Sequence, residues 1–270
     1  MRRPNGFTYS VSLNQGTIHV SVTVTSTASV VRKWISTTLF LHRRFLHKSR
    51  LVVGLGVQWT PCATERHPPA DTLQLCVGCR CLIFQLAHAN AAPRNLRGFL
   101  LDHRVTFAGF WNHSDRRKLE NSWLGLRMRT DPVDLRLCTE TDGGCSLKGA
   151  SVNTIVEECL GFEVEQRKEI GISDWDEEFL SHEQVEYATV DAHCAFLIAR
   201  DSKVWNFRVN CDLTLTLQLM ISFCLLVYFH LHFPSLSVFF FFCASTGLAR
   251  WMKKHVTEKR FSPMMMKMKI

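Results

Sequence analysis

The first part of the chain changes from a strand-like to a helix-like pattern of apolar residues and back again. Between Thr17 and Thr25, apolar residues alternate with polar ones, which is the two-residue period of a half-buried strand. From Ser26 to Leu41 the apolar positions recur every three to four residues, and this spacing predicts a helix. Residues 51–57 are then apolar without interruption, as is typical of a central strand that is covered on both faces.

The middle of the chain continues with a predicted hairpin and then with alternating helices and strands. Apolar runs at residues 72–77 and 80–86 flank Gly78, a combination that predicts two strands joined by a tight turn. The apolar spacing predicts further helices and strands: helices over residues 93–101, 115–124, 148–160 and 182–200, and strands over 105–111 and 133–137. This order of elements predicts an α/β fold with a mixed central sheet flanked by helices.

The last predicted helix has the clearest start. Ser181 and Gln184 fit a capping box, in which the serine accepts from the first turn and the glutamine reaches back. Small residues then recur along one side of the helix, which permits a close approach to the sheet; they are Ala188, Ala192, Ala195 and Ala199.

The composition changes abruptly after Arg200. Residues 213–249 contain no Lys, Arg, Asp or Glu, and they include a phenylalanine run near their end. Three interpretations remain open: a translated retained intron, which we prefer, a membrane span, and a buried or aggregation-prone tail. We therefore divide the chain into a basic N-terminal extension, a core domain, this apolar segment and a basic tail rich in Met and Lys, over residues 1–50, 51–201, 202–249 and 250–270.

Charge is distributed unevenly along the sequence. The net charge is +8, and no Asp or Glu precedes Glu65, whereas eight Lys and Arg residues do. This asymmetry favours a polyanionic partner, with a solvated basic flank and an organelle import segment as the alternatives. The 11 cysteines are scattered rather than arranged as a disulfide framework, so we expect a reducing compartment, the nucleus or the cytoplasm.

Two segments carry candidate chemistry. Tyr187 and Asp191 are four residues apart and therefore share one face of the last predicted helix. The context of these two residues, over residues 173–187, resembles the third exonuclease motif of 3′-to-5′ exonuclease domains of the Werner-syndrome type. Asp115, within residues 111–119, aligns with the second motif of that family.

The first motif departs from the family pattern. Residues 51–59 look like the family's Val-Gly-Leu-Asp-x-Glu-Trp strand, with Gly56 in place of the Asp and Gln58 in place of the Glu. The resemblance implies an RNase H-like fold of the DEDDy group, which cuts phosphodiesters with two divalent metals held by clustered carboxylates. It also implies that Asp115 and Asp191 hold any Mg²⁺ or Mn²⁺ that remains, and that Tyr187 orients the attacking water.

The resemblance implies a protein that binds the 3′ ends of DNA or RNA. Because two of the four carboxylates are replaced, we expect its catalysis to be impaired. Two alternatives stay open, namely an active 3′-5′ exonuclease with a reduced metal site and a non-enzymatic protein-interaction scaffold. Membrane attachment is not the favoured interpretation, and the sequence does not indicate a protein partner.

Overall fold

The protein is described by a computed structural model, which covers residues 6–62, 68–141 and 143–206. The predicted apolar segment and basic tail lie almost entirely outside these residues. In chain order the strands and helices are β1 Phe7–Leu13, β2 Ile18–Thr25, α1 Ala28–Leu41, α2 Arg43–His47, β3 Leu51–Gln58, β4 Thr72–Val77, β5 Arg80–Gln85, α3 Arg94–Leu101, β6 Val105–Gly109, α4 Asp115–Asn121, β7 Val133–Asp134, α5 Val152–Leu160, α6 Lys168–Gly171 and α7 His182–Asp201. Within the described ranges, none of the helices is long and apolar enough to cross a membrane.

The strands form one mixed sheet, which confirms the predicted fold class. Its order is β1-β2-β5-β4-β3-β6-β7. β2 is parallel to β5, and β3 is parallel to β6, whereas β1 and β4 run against their neighbours. β6 and β7 form a third parallel pair. The chain passes through α1 between β2 and β3 and through α3 between β5 and β6, and longer connections of this kind allow parallel neighbours, which a tight turn cannot join.

β3 lies in the interior of this sheet, between β4 and β6, and every residue of the strand is buried. Helix α7 packs across it, and the alanine stripe makes this packing close, since Ala188, Ala192 and Ala195 have no exposed surface. A Cβ added to Gly54 of β3 would lie 1.8 Å from the backbone oxygen of Ala192. The helix can approach this closely only because residue 54 has no side chain.

The predicted capping box of α7 is confirmed. The side chain of Ser181 accepts from the backbone N–H of Gln184, and the side-chain oxygen of Gln184 accepts from the N–H of Ser181. The Gln184 amide group also donates to the hydroxyl of Ser173 and to the carbonyl of Asp174. These bonds fix the start of α7, and with it the direction in which Tyr187 and Asp191 project.

Several predicted boundaries were too generous. β6 ends at Gly109 and α4 at Asn121, while α5 begins only at Val152, after Ser151 caps it. The strand predicted over residues 133–137 has two residues, because the Asp134 side chain accepts from the Arg136 N–H and starts a 3-10 turn. Three elements, β1, α2 and α6, were not predicted from the sequence, although β1 alternates apolar and polar residues as β2 does.

The basic residues around α2 lie far from the C-terminal end of β3. Arg43, Arg44, Lys48 and Arg50 precede Leu51, the first residue of that strand, and most of their side chains are exposed. β3 has eight residues, so at ~3.3 Å per residue its two ends are about 23 Å apart. Gly56 and Gln58 therefore belong to the opposite end of the sheet from this basic cluster.

Candidate active site

The altered first-motif positions face helix α7. Gly56 and Gln58 are two residues apart on β3 and so project from the same face of the sheet. A Cβ built on Gly56 would lie 3.4 Å from Oδ2 of Asp191, so this carboxyl is directed at the glycine. Gln58 is buried as well, with 8% of its surface exposed.

Asp115 joins this site from the other side. It is the first residue of α4, shortly after β6 ends beside β3, and it is buried. Burial raises the pKa of Asp115 well above its usual value, and the negative charge of Asp191 adds to that effect. The structure therefore brings Asp115 and Asp191 together beside β3, as the resemblance implies.

Asp191 itself has an unusual protonation behaviour. Asp191 as a whole residue is partly exposed, but its carboxyl group is buried between α7 and β3. This burial raises the pKa of Asp191 to about 7. A substantial share of the molecules then carries a neutral Asp191 near neutral pH. A divalent metal would favour the charged form of Asp191, whereas the burial of its carboxyl favours the neutral form.

Tyr187 lies one helical turn before Asp191, on the same side of α7. Burial, followed by the charge of Asp191, raises the pKa of Tyr187 to about 12. The phenol is therefore neutral and able to donate a hydrogen bond. Its ring packs against Trp175, with the centroids 6.1 Å apart, and a Cβ on Gly171 would come within 2.6 Å of the hydroxyl.

Asp134, a further carboxylate near Asp115, was not predicted from the sequence. The charge of Asp134, in β7, also raises the pKa of Asp115. Asp134 is engaged by Arg136, whose Nη2 donates to Oδ2 at 2.5 Å and whose Nε donates to Oδ1 at 3.0 Å. A short strand followed by an Asp-x-Arg turn was the only local signal for this pair.

Two tryptophan rings, each in contact with a basic side chain, flank the site. The Arg136 guanidinium carbon lies 3.5 Å from the ring centre of Trp111, and the Lys118 ammonium lies 3.7 Å from that of Trp59. Trp111 is 48% exposed and has a positive φ of 50°, which is unusual for a bulky residue. Lys118 is buried, and burial lowers its pKa while Asp115 and Asp71 raise it.

The residues present do not fit a two-metal centre. Such a centre needs carboxylates on β3 as well as on the helices that face it. At the two positions concerned, β3 has a glycine and an uncharged amide. Throughout residues 6–62, 68–141 and 143–206, no three Asp, Glu, His or Cys side chains are grouped so that they could share a metal ion. Asp115 and Asp191 are the pair that remains.

A mixed sheet with a long helix packed across one of its interior strands, and carboxyl groups gathered at that strand, is the arrangement of the RNase H-like class of exonuclease fold. The same fold is found in the EXO domain of Aedes aegypti Nibbler, at a TM-score of 0.52 and 14% identity, covering 74% of this chain and 94% of that one. Residues 46–201 match the sequence model of the 3′-5′ exonuclease family. The chain belongs to this family of domains, which act on nucleic acid.

Two curated relatives share this region of the chain. The mouse (Mus musculus) bifunctional 3′-5′ exonuclease/ATP-dependent helicase WRN is 26% identical over 155 residues, which cover 54% of this chain and 10% of that protein. Drosophila melanogaster exonuclease 3′-5′ domain-containing protein 2 is 25% identical over 147 residues, covering 54% and 24%. The chain thus spans a quarter or less of the length of these relatives.

Proposed function

We propose that this protein binds the 3′ ends of nucleic acid and hydrolyses them very slowly or not at all. The observation that carries the proposal is the wall of β3 that faces Asp191, where Gly56 and Gln58 stand in place of two carboxylates. Any Mg²⁺ or Mn²⁺ that binds would be held by Asp115 and Asp191 alone. A divalent metal supplies the charge that activates water and stabilises the leaving oxygen in this class of reaction.

The expected catalytic defect is large. The loss of one residue that only supports a metal ligand costs about 10- to 100-fold in affinity or activity. Here two positions that would supply direct ligands are changed, and neither glycine nor a neutral amide replaces an anion on a hard cation. We therefore expect a rate at least about 1000-fold below that of a domain with all four carboxylates.

A nuclease assay tests this expectation. The purified chain is incubated with 3′-extended and single-stranded DNA and RNA, labelled at the 5′ end, with Mg²⁺, Mn²⁺ or EDTA. We expect the products with metal to match those with EDTA. Asp115→Asn/Asp191→Asn serves as the matched control, because it removes the remaining pair. Metal-dependent shortening by the unaltered chain, absent from this control, would establish an active exonuclease with a reduced metal site.

Binding of the strand is supported by the aromatic and basic residues at the same end of the sheet. Trp111 presents an exposed ring that is held by Arg136, and α4 carries Arg116 and Arg117 directly after Asp115. Exposed aromatic rings stack on bases of single strands, and cations beside them bind phosphates. A strand end that reaches Asp115 would pass these groups.

Trp111→Ala is therefore expected to weaken binding to a labelled oligonucleotide by roughly tenfold, as expected for one lost base stack of about 1–3 kcal/mol. Phe40→Ala is the matched control, because Phe40 is also exposed and lies against an arginine, Arg43, but at the far end of the sheet. Fluorescence anisotropy at increasing salt measures both variants. Absence of binding by the unaltered chain at low salt would favour the interaction-scaffold alternative instead.

A further inference from the structure

Gln74 lies directly opposite Gly56. The two residues are partners in the antiparallel pairing of β3 with β4, and Gln58 is paired in the same way with Thr72. Directly paired residues project from the same face of a sheet. Gln74 and Thr72 therefore share the face that holds both altered positions of the first motif.

The Gln74 side chain is held across this face. It has no exposed surface, and its amide nitrogen donates to the hydroxyl of Thr72 at 2.6 Å. Its amide oxygen has no hydrogen-bond partner among the described residues. A buried acceptor without a donor is unusual, because nothing replaces the water that it loses on folding.

The free amide oxygen occupies the space beside Gly56. A Cβ on residue 56 would lie 2.8 Å from Oε1 of Gln74, closer than carbon and oxygen atoms approach without a bond. The same Cβ would lie 3.4 Å from Oδ2 of Asp191. The amide oxygen and the Asp191 carboxyl thus both lie beside the place where the side chain of an aspartate would begin.

We infer that Gln74 closes the metal position of this domain from within. The inference rests on the proposed function, and it adds that the Gln74 amide takes the space that a carboxylate at position 56 would need. An aspartate at position 56 and Gln74 in its present conformation compete for the same space. The end of the Gln74 side chain must therefore move before an aspartate fits, and its full burial and its hydrogen bond to Thr72 oppose that movement. Shortening Gln74 together with restoring the carboxylates is expected to open the site to a divalent cation.

Manganese binding to the whole chain tests the inference without relying on catalysis. Binding is measured from the electron paramagnetic resonance signal of free Mn²⁺, and from the rise in Tm that saturating Mn²⁺ produces. The chains compared are the unaltered protein, Gly56→Asp/Gln58→Glu, and the same pair combined with Gln74→Ala. The matched control combines the pair with Gln85→Ala, because Gln85 is also a buried glutamine of this sheet but is not paired with Gly56.

We expect Gly56→Asp/Gln58→Glu/Gln74→Ala to bind Mn²⁺ at least about tenfold more tightly than the double variant. A change of this size is typical when one residue next to a metal site is altered. The Gln85→Ala control is expected to bind no better than the double variant. Melting curves without metal establish that each variant is folded; Gln74→Ser, which keeps a polar group next to Thr72, replaces Gln74→Ala if the alanine variant is unfolded.

Each other outcome has a separate meaning. Equal Mn²⁺ affinity of the double variant and the Gln74 variants would overturn the inference, because Gln74 would then yield freely to the aspartate introduced by Gly56→Asp, or shortening Gln74 would open nothing. The proposed function survives that result, since it concerns only the missing carboxylates. Tight Mn²⁺ binding together with strand cleavage by the unaltered chain would instead overturn the proposed function.

Discussion

Gly54→Ala is expected to abolish the folded state at ordinary temperatures. The added methyl group would lie 1.8 Å from the backbone oxygen of Ala192 and 2.8 Å from the backbone nitrogen of Phe196, where about 3.5 Å is the normal contact distance. Both atoms belong to α7, so the clash cannot be relieved by rotating a side chain. The helix must move away from β3, and a cost of more than about 4 kcal/mol is expected because the core contacts along α7 open with it.

The matched control is Gly98→Ala. Gly98 lies inside α3, and a Cβ on it meets no atom within 4 Å. Alanine is favoured over glycine in a helix by about 1 kcal/mol, so this variant should be as stable as the unaltered chain or slightly more stable. Circular dichroism during thermal and urea unfolding measures both. A Gly54→Ala chain that melts within a few degrees of the unaltered one would refute the close approach of α7 to β3.

The elements that hold this contact could be predicted from the sequence because their signals are local. β3 is a continuous apolar run. The start of α7 can be predicted from the four residues of its capping box alone. The alanine stripe showed that a close approach was permitted. It could not show that Ala192 meets Gly54, because that depends on how the helix crosses the sheet.

The groups that the sequence analysis missed depend on contacts between distant segments. Gln74 matters only because it is paired with Gly56, and that register is fixed across the long connection between β3 and β4. Likewise, Asp134 matters because it lies close enough to Asp115 to raise the pKa of that residue. Its strand, β7, has only two residues, which is too short for its bounds to be predicted from the sequence. Motif resemblance identified Asp115, Tyr187 and Asp191, whose positions relative to their own helices are local properties.

The site combines buried acids with few groups that stabilise their charged forms. Asp115 is surrounded by the charges of Asp191 and Asp134, and among the described residues Lys118 is the opposing cation that affects its pKa. In an active domain of this class, bound metals would offset such repulsion. Under the proposed function no metal offsets this repulsion, so the remaining acids should lower the stability of the fold.

Asp191→Asn is accordingly expected to stabilise the fold, and to do so more strongly as the pH rises. In the folded state the pKa of Asp191 is about 7, against about 3.9 in an unfolded chain. Between these two values the folded state holds a proton that the unfolded state has released, so the stability of the unaltered chain falls as the pH rises from about 4 to about 7. Asparagine has the shape of the neutral acid and does not titrate, so this loss is removed.

The difference between the two chains should therefore be small at about pH 4 and largest at about pH 8. A shift of about three pKa units corresponds to about 4 kcal/mol, and because Asp191 is partly exposed we expect about half of that, or a Tm higher by about 5 °C at about pH 8. Asp174→Asn, at an exposed position shortly before α7, should leave the pH profile unchanged. A pH-independent difference would mean that the Asp191 carboxyl is charged in the fold at little cost, as it is when a cation occupies the site.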